Sequence, residues 1–450
     1  MKTRFIKLLL SLLLLTTTFL KAQEASHDTL VSIVGRISSD LDHLKRIKFS
    51  GYIMPQFQVA DSTGQKSFSG GDFAAGVDKR FQLREARLKA IYETAFSQFV
   101  FQIDVSEKGV AIKDMYARIT DPWTQWFQLK AGMFDRPFGF EIGYSTSQRE
   151  APDRGRMSQI IFPAERDLGA ELVIQAPKGS NWNWLRVEGG MFNGTGASGV
   201  SGSANGNTSD FDSKKDFIGR ISVTRNTVNE KIKYAVGASY YDGGYRTDND
   251  TAWHIGSDSL GGEGFIMDDY LKQKGTINKR QYLGADFQVS IDWFPGITTL
   301  RAEYIQGKQP GTSSSTASPA FQPGLDGKTA ASSTNPAAPI FKREFNGAYF
   351  YFIQNIGSTP LQAIVKYDWY DPNTDAKGDE IGKSLTGGKK YSATDIRYDD
   401  LGFGLAYRWD SNVKFTAYYD MVKNETSSNL SGYTKDLKDN LFTLRVQFKF

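Results

Sequence analysis

Few residues in this 450-residue chain could do covalent or metal chemistry. It has no cysteine, which excludes a disulfide framework, a thiolate metal site and a cysteine nucleophile. Its three histidines, His27, His43 and His254, are far apart in sequence and argue against a histidine-ligated metal or a histidine-based triad. An esterase-type enzyme would have to use His254, and no serine context supports it. Asp210-Phe211-Asp212 and Asp248-Asn249-Asp250 offer paired carboxylates, but neither has the spacing of a calcium loop, so we read them as solvated loop residues. The densest run of opposed charge is residues 135–165, with Arg136, Arg149, Arg154 and Arg156 set against Glu141, Glu150, Asp153 and Glu165, and with Arg166 just beyond. Guanidinium groups bind oxyanions through a planar fork, so this segment suits anion recognition or ion selection rather than bond-breaking. No cofactor or metal is expected.

Those charges must be positioned by β-strands. Segments of about ten residues alternate apolar and polar side chains, as strands with lipid on one face and water on the other must do. In the last segment Phe442, Leu444, Val446, Phe448 and Phe450 alternate with Thr443, Arg445, Gln447 and Lys449. Leu283, Ala285, Phe287, Val289, Ile291 and Trp293 do the same. Sixteen such segments occur, near 48–58, 80–93, 97–106, 110–120, 124–134, 166–177, 182–193, 216–227, 231–243, 279–294, 297–308, 344–355, 360–371, 397–410, 413–424 and 439–450. The phase slips within 80–93, which indicates a bulge. Long and short connections alternate along the chain, 107–109 being the one short member of the long series. That is the rhythm of a membrane barrel with tight periplasmic turns and long external loops. Six of the eight tryptophans, Trp123, Trp126, Trp182, Trp184, Trp293 and Trp409, fall at the short turns, as an interfacial aromatic belt requires. Residues 309–339 are rich in Gly, Ser, Thr, Ala and Pro and read as a flexible external loop.

The N-terminus fits export. Lys2, Arg4 and Lys7 precede an apolar stretch from Leu8 to Leu15, and Leu20-Lys21-Ala22 offers a cleavage site, so 1–22 reads as a signal peptide. The rest of the chain carries 50 basic and 50 acidic residues, a balance that argues against nucleic acid as a partner. Leu30, Val34, Ile37, Leu41 and Leu44 form two heptads, so 23–46 reads as a short amphipathic helix. It would serve either as a periplasmic coiled coil aiding trimer assembly or as a helix folded onto the barrel mouth. Residues 47–450 form the barrel.

Residues 130–141, Lys-Ala-Gly-Met-Phe-Asp-Arg-Pro-Phe-Gly-Phe-Glu, and the re-entry Arg166-Asp167-Leu168-Gly169 resemble the phosphate-selective porin O and P family. Phe49-Ser50-Gly51-Tyr52 and Arg84-Glu85-Ala86-Arg87 are also similar to it. The resemblance implies a trimeric 16-stranded outer-membrane barrel whose third long loop, here 135–165, folds inward and narrows the lumen. It also implies selection of small anions such as phosphate by basic residues, for which Arg136, Arg149, Arg154, Arg156 and Arg166 are the candidates. One departure weakens that implication: the loop's acids balance its arginines, and the inward faces mix Arg301, Lys366 and Arg445 with Asp286 and Glu303. The expectation is thus an all-β porin in the bacterial outer membrane, surrounded by its lipids, assembled as a homotrimer and passing small hydrophilic solutes. The alternative is a barrel that serves as a scaffold or partner-binding component.

Overall fold

The computed structural model describes residues 36, 45–107, 109–196, 210–268, 273–327 and 329–450. The expected signal peptide (1–22) and nearly all of the expected helix (23–46) lie outside them.

Eighteen strands form one antiparallel sheet apart from a single short parallel contact. In chain order they are β1 (Ile47–Ala60), β2 (Lys79–Glu93), β3 (Ser97–Ser106), β4 (Gly109–Thr120), β5 (Phe127–Asp135), β6 (Arg166–Gln175), β7 (Leu185–Phe192), β8 (Asp216–Asn226) and β9 (Ile232–Arg246). Then come β10 (Ala252–Ser257), β11 (Glu263–Met267), β12 (Ile277–Ile291), β13 (Thr298–Gly311), β14 (Ile340–Asn355), β15 (Leu361–Asp371), β16 (Tyr398–Arg408), β17 (Val413–Asn424) and β18 (Leu441–Lys449). β10 and β11 pair with each other as a hairpin inside a long loop, while β9 pairs directly with β12. The remaining sixteen strands close into a barrel when β18 pairs with β1, from Tyr52↔Lys449 to Ala60↔Leu441. Closure removes every sheet edge, which a strand in lipid requires.

Alternation decides which side chain meets lipid. Along β18, Phe442, Leu444 and Phe448 are exposed on the outer wall, whereas Thr443, Arg445 and Gln447 are buried inside. Trp123, Trp182, Trp293 and Trp409 are exposed at the short turns. Trp369 belongs instead to an outer-wall group with Tyr304, Phe350 and Tyr367.

The phase slip in the second segment is a bulge. Met54 pairs with Glu85 and Pro55 with Leu83, so Arg84 is the extra residue on β2. A second bulge leaves Lys113 unpaired on β4, between Asp114 opposite Gln102 and Ile112 opposite Ile103. Such insertions re-aim a side chain relative to its strand.

The long loops are more ordered than their composition suggests. The β10–β11 hairpin bonds through Phe265 to Lys389 of the 372–397 loop. Trp253, Phe265, Phe341, Ala376, Ile381, Tyr391 and Ile396 bury one another in an apolar cluster above the barrel wall. Within 309–339, read from composition as a flexible loop, Pro323 bridges to Ala330 and Gly324 to Ala337.

Candidate functional site

β5 ends at Asp135 and β6 begins at Arg166, which is its cross-strand partner. The intervening residues run into the barrel, held by groups on at least seven strands. The first anchor is apolar. Phe138, Ile142, Met157, Ile161 and Phe162 are buried against Phe192, Ile218, Tyr241, Tyr282, Ile305, Phe345 and Tyr370 of the inner wall. The Phe138 ring lies 5.1 Å from Phe162 and 6.3 Å from Tyr282. Gly284 makes room for it, since a Cβ there would sit 2.9 Å from the Phe138 ring. One side of the lumen is therefore a packed core rather than a wet wall.

Beside this core the backbone is gripped by a carboxylate. Glu303 of β13 accepts from the N–H groups of Phe140 and Glu141, each at 3.0 Å, and from the Tyr349 hydroxyl at 2.8 Å. The turn that brings those N–H groups round needs Gly139, whose φ is +62°, and a Cβ at that position would collide with the Glu303 carboxylate. Glu141 in turn closes the loop on itself, accepting from Gly155 N at 3.1 Å and Ser158 Oγ at 2.5 Å. Ser158 lies in a short α-helix, α1 (Arg156–Ile161).

The far edge of the loop is fastened by ion pairs. Asp153 meets Arg84 at 2.5 Å and Arg445 at 3.1 Å, so the β2 bulge and β18 hold the same carboxylate. Burial alone would raise the Asp153 pKa, but Arg84 and Arg445 hold it well below the usual carboxylate range. Glu150 meets Arg301 of β13 at 3.0 Å. Lys414 of β17 donates to the Arg149 carbonyl at 2.9 Å.

The five candidate arginines are all buried and bonded, although not alike. Arg156 binds both Asp400 oxygens at 3.1 and 3.2 Å, and its plane lies between the Tyr398 and Phe68 rings at 4.1 and 4.6 Å. Arg154 meets Glu165 at 2.9 Å and donates to the Ser158 and Phe162 carbonyls. Arg166 faces Asp114, Asp135 and Glu165 at 3.1, 2.9 and 2.5 Å. Burial pushes Glu165 up, yet Arg154 and Arg166 keep it well below its ordinary value. Arg136 donates to the Glu165 carbonyl and stacks 4.8 Å over Phe162. Arg149 donates to the Tyr144 carbonyl and has no carboxylate within ion-pair distance among the described residues. Sequence reading marked these five, and Arg84 within a family likeness, but not that Arg84, Asp400, Lys414 and Asp368, which accepts from Arg156 N at 3.0 Å, fasten the loop. The bulge signal at 80–93 and the family likeness marked Arg84 without its partner, because alternation gives a face and not a contact.

The loop separates two spaces. On the side of the long loops lies a chamber of about 690 Å³, lined in part by Arg154, Arg156, Gln159, Tyr398, Asp400 and Asp439. On the side of the short turns lies a cavity of about 210 Å³, lined in part by Arg87, Lys89, Ser145, Thr146 and Arg166. The remaining inner wall is balanced: Lys130 meets Glu171 at 2.9 Å, Arg186 meets Glu188 at 2.6 Å and Arg220 meets Asp286 at 2.5 Å. The loop aspartates serve local structure, Asp210 pairing with Lys215 and Asp248 with Arg246. His254 pairs with Asp268 at 2.6 Å on the external hairpin.

Comparison with known proteins agrees with this architecture. Pseudomonas putida OprB, in its high-pH structure, is 11% identical with a TM-score of 0.52, covering 92% of this chain and 96% of its own. Salmonella typhi OmpF, in complex with daunomycin, is 9% identical with a TM-score of 0.51, covering 90% and 97%. At such identities the likeness is one of fold. Among curated proteins none matches the sequence significantly. The sequence profile described as phosphate-selective porin O and P matches residues 63–326, more than half of the chain. With its closed barrel and apolar outer wall, the chain belongs to the phosphate-selective porin O and P family and is a porin of the bacterial outer membrane.

Proposed function

We propose that small hydrophilic solutes diffuse passively past the 135–165 loop, which acts as the constriction, and that small anions such as phosphate pass preferentially. The carrying observation is the clasping of this loop to opposite parts of the inner wall, which fixes its charges across the lumen. In this reading Arg154, Arg156 and Arg166 hold the constriction in shape, because their charge is spent on neighbouring carboxylates, while Arg136 packs over Phe162 in the inner core. The anion preference rests on Arg149 and Lys414. These two cations line one small recess of about 10 Å³ with Glu150, Arg445 and Gln447, and their only hydrogen-bond partners among the described residues are carbonyls. Their positive field would attract an oxyanion passing the loop rather than hold one in the recess. The apolar wall meets outer-membrane lipid, and the assembly is a homotrimer. No cofactor or nucleic acid enters the mechanism, and no covalent step is involved.

The test is current through the refolded protein in a planar bilayer under a potassium chloride gradient. Expected are steps in threes, an anion-biased reversal potential, block by phosphate, and loss of that bias in Lys414→Glu. A pore indifferent to phosphate and to Lys414→Glu would sink the anion preference. The second reading, a partner-binding barrel, is favoured by the apolar-cored loop cap over the wall. It predicts no conductance and a co-purifying protein.

A further inference from the structure

We infer that Glu165 sets how tightly the pore holds an oxyanion: its carboxylate is a tethered competitor, filling a site between Arg154 and Arg166 that a permeating oxyanion such as phosphate must share. The inference rests on the reading of the chain as an anion-preferring porin. Glu165 meets Arg154 Nε at 2.9 Å through one oxygen and Arg166 Nη1 at 2.5 Å through the other. Arg154 lines the outer chamber, whereas Glu165 and Arg166 line the inner cavity. Their contact therefore stands between the two spaces, and a carboxylate gripped by two guanidinium groups occupies the place an oxyanion would take.

This carboxylate can leave without releasing the loop. Asp153 and Glu150 tie the loop to the wall through Arg84, Arg445 and Arg301, but Glu165 ties the loop to itself through Arg154. Once Glu165 swings away, Arg166 still has Asp114 and Asp135 at 3.1 and 2.9 Å. Arg154 keeps only the Ser158 and Phe162 carbonyls. A buried guanidinium without an anion is costly, so the vacated site favours an incoming one.

The backbone agrees. Among the described residues Gln125, Glu165, Ser213 and Glu230 are the non-glycine residues with positive φ, and only Glu165, at +53°, is buried. Such a conformation persists where the surroundings impose it. Here Arg136 imposes it, its N and Nε both donating to the Glu165 carbonyl at 3.3 Å. The backbone is held while the side chain has room, because the inner cavity of about 210 Å³ opens beside it. On the wall of that cavity an oxyanion meets Lys89, Lys449 and Arg87, whose Nε has no hydrogen-bond partner among the described residues. Chloride has no pair of oxygens for the guanidinium forks and gains less from the exchange.

The test is block of chloride current by inorganic phosphate in the bilayer, with calorimetric titration of phosphate into the detergent-solubilised protein as second readout. A site free of Glu165 about a tenth of the time should bind phosphate about tenfold more tightly in Glu165→Gln. Glu165→Asp, its carboxylate one methylene shorter, should tighten binding about threefold and carries the test alone if Glu165→Gln does not refold. Adding Arg154→Lys to Glu165→Gln keeps the charge, loses the fork and should cancel the gain. Equal phosphate affinity in the wild type and both single variants would overturn the inference. So would a gain that survives Arg154→Lys, or no phosphate binding by either single variant. Tight phosphate binding by Glu165→Gln, beside a wild-type pore with neither anion bias nor phosphate block, would instead sink the anion preference and leave the role of Glu165 standing.

Discussion

Asp153→Asn tests whether the loop is fixed by its ion pairs. Asp153 is 6% exposed and receives Arg84 at 2.5 Å and Arg445 at 3.1 Å. Asparagine keeps the shape but removes the charge, leaving two guanidinium groups against a neutral amide. Breaking a buried pair costs about 3–5 kcal/mol. The Arg84 side chain is 26% exposed, so solvent recovers part of that loss. A net cost of about 2–3 kcal/mol raises the population of locally released loop about 30- to 150-fold. The second consequence is electrostatic. A unit charge about 7 Å from a permeating ion in water is worth about 0.6 kcal/mol, with opposite sign for potassium and chloride. Removing it should shift the permeability ratio toward chloride about sevenfold. Both effects are read in one bilayer experiment, as open-channel noise and as reversal potential. The wild-type clasp should also resist acid. Its depressed carboxylate contributes stability that is complete above the ordinary aspartate pKa of about 3.9 and is lost only as pH falls through the lower folded value. A quiet trace and an unchanged reversal potential in Asp153→Asn would refute the clasp.

Phe138→Ala removes the central ring of the inner core and should weaken loop docking by about 3–5 kcal/mol. The expected result is a larger, flickering conductance, and an unaltered single-channel level would show that the apolar anchor is dispensable. Asp439 lies in the external loop before β18, where burial, with Asp400 adding and Arg156 opposing, pushes its pKa up to about 7. Its contribution to stability is therefore full below the ordinary value of about 3.9 and disappears as pH rises through about 7. Over the same window the chamber gains a negative charge, so cation permeability should climb between pH about 6 and 8 in the wild type and stay flat in Asp439→Asn.

The barrel was legible in the sequence because its physics is local. A strand between lipid and water must alternate with period two, a closed antiparallel barrel must alternate short and long connections, and interfacial tryptophans mark one rim. Sixteen strands, their order and the outward side chains follow from these rules, and the slip at 80–93 marked the Arg84 bulge. Alternation also placed Tyr282 and Arg301 on the inner face, but it could not say that Tyr282 joins an apolar core while Arg301 meets Glu150. Those outcomes depend on which distant strand lies opposite once the barrel closes. The arginines of 135–165 illustrate the limit. The family resemblance made them candidates for anion binding while the balancing acids spoke against a one-sign row, and no pairing could be read, since Asp400 lies 244 residues from Arg156 and Arg445 lies 292 from Asp153. Only tertiary structure brings those partners together, and a guanidinium facing a carboxylate at 3 Å is a strut, its charge already met inside the fold.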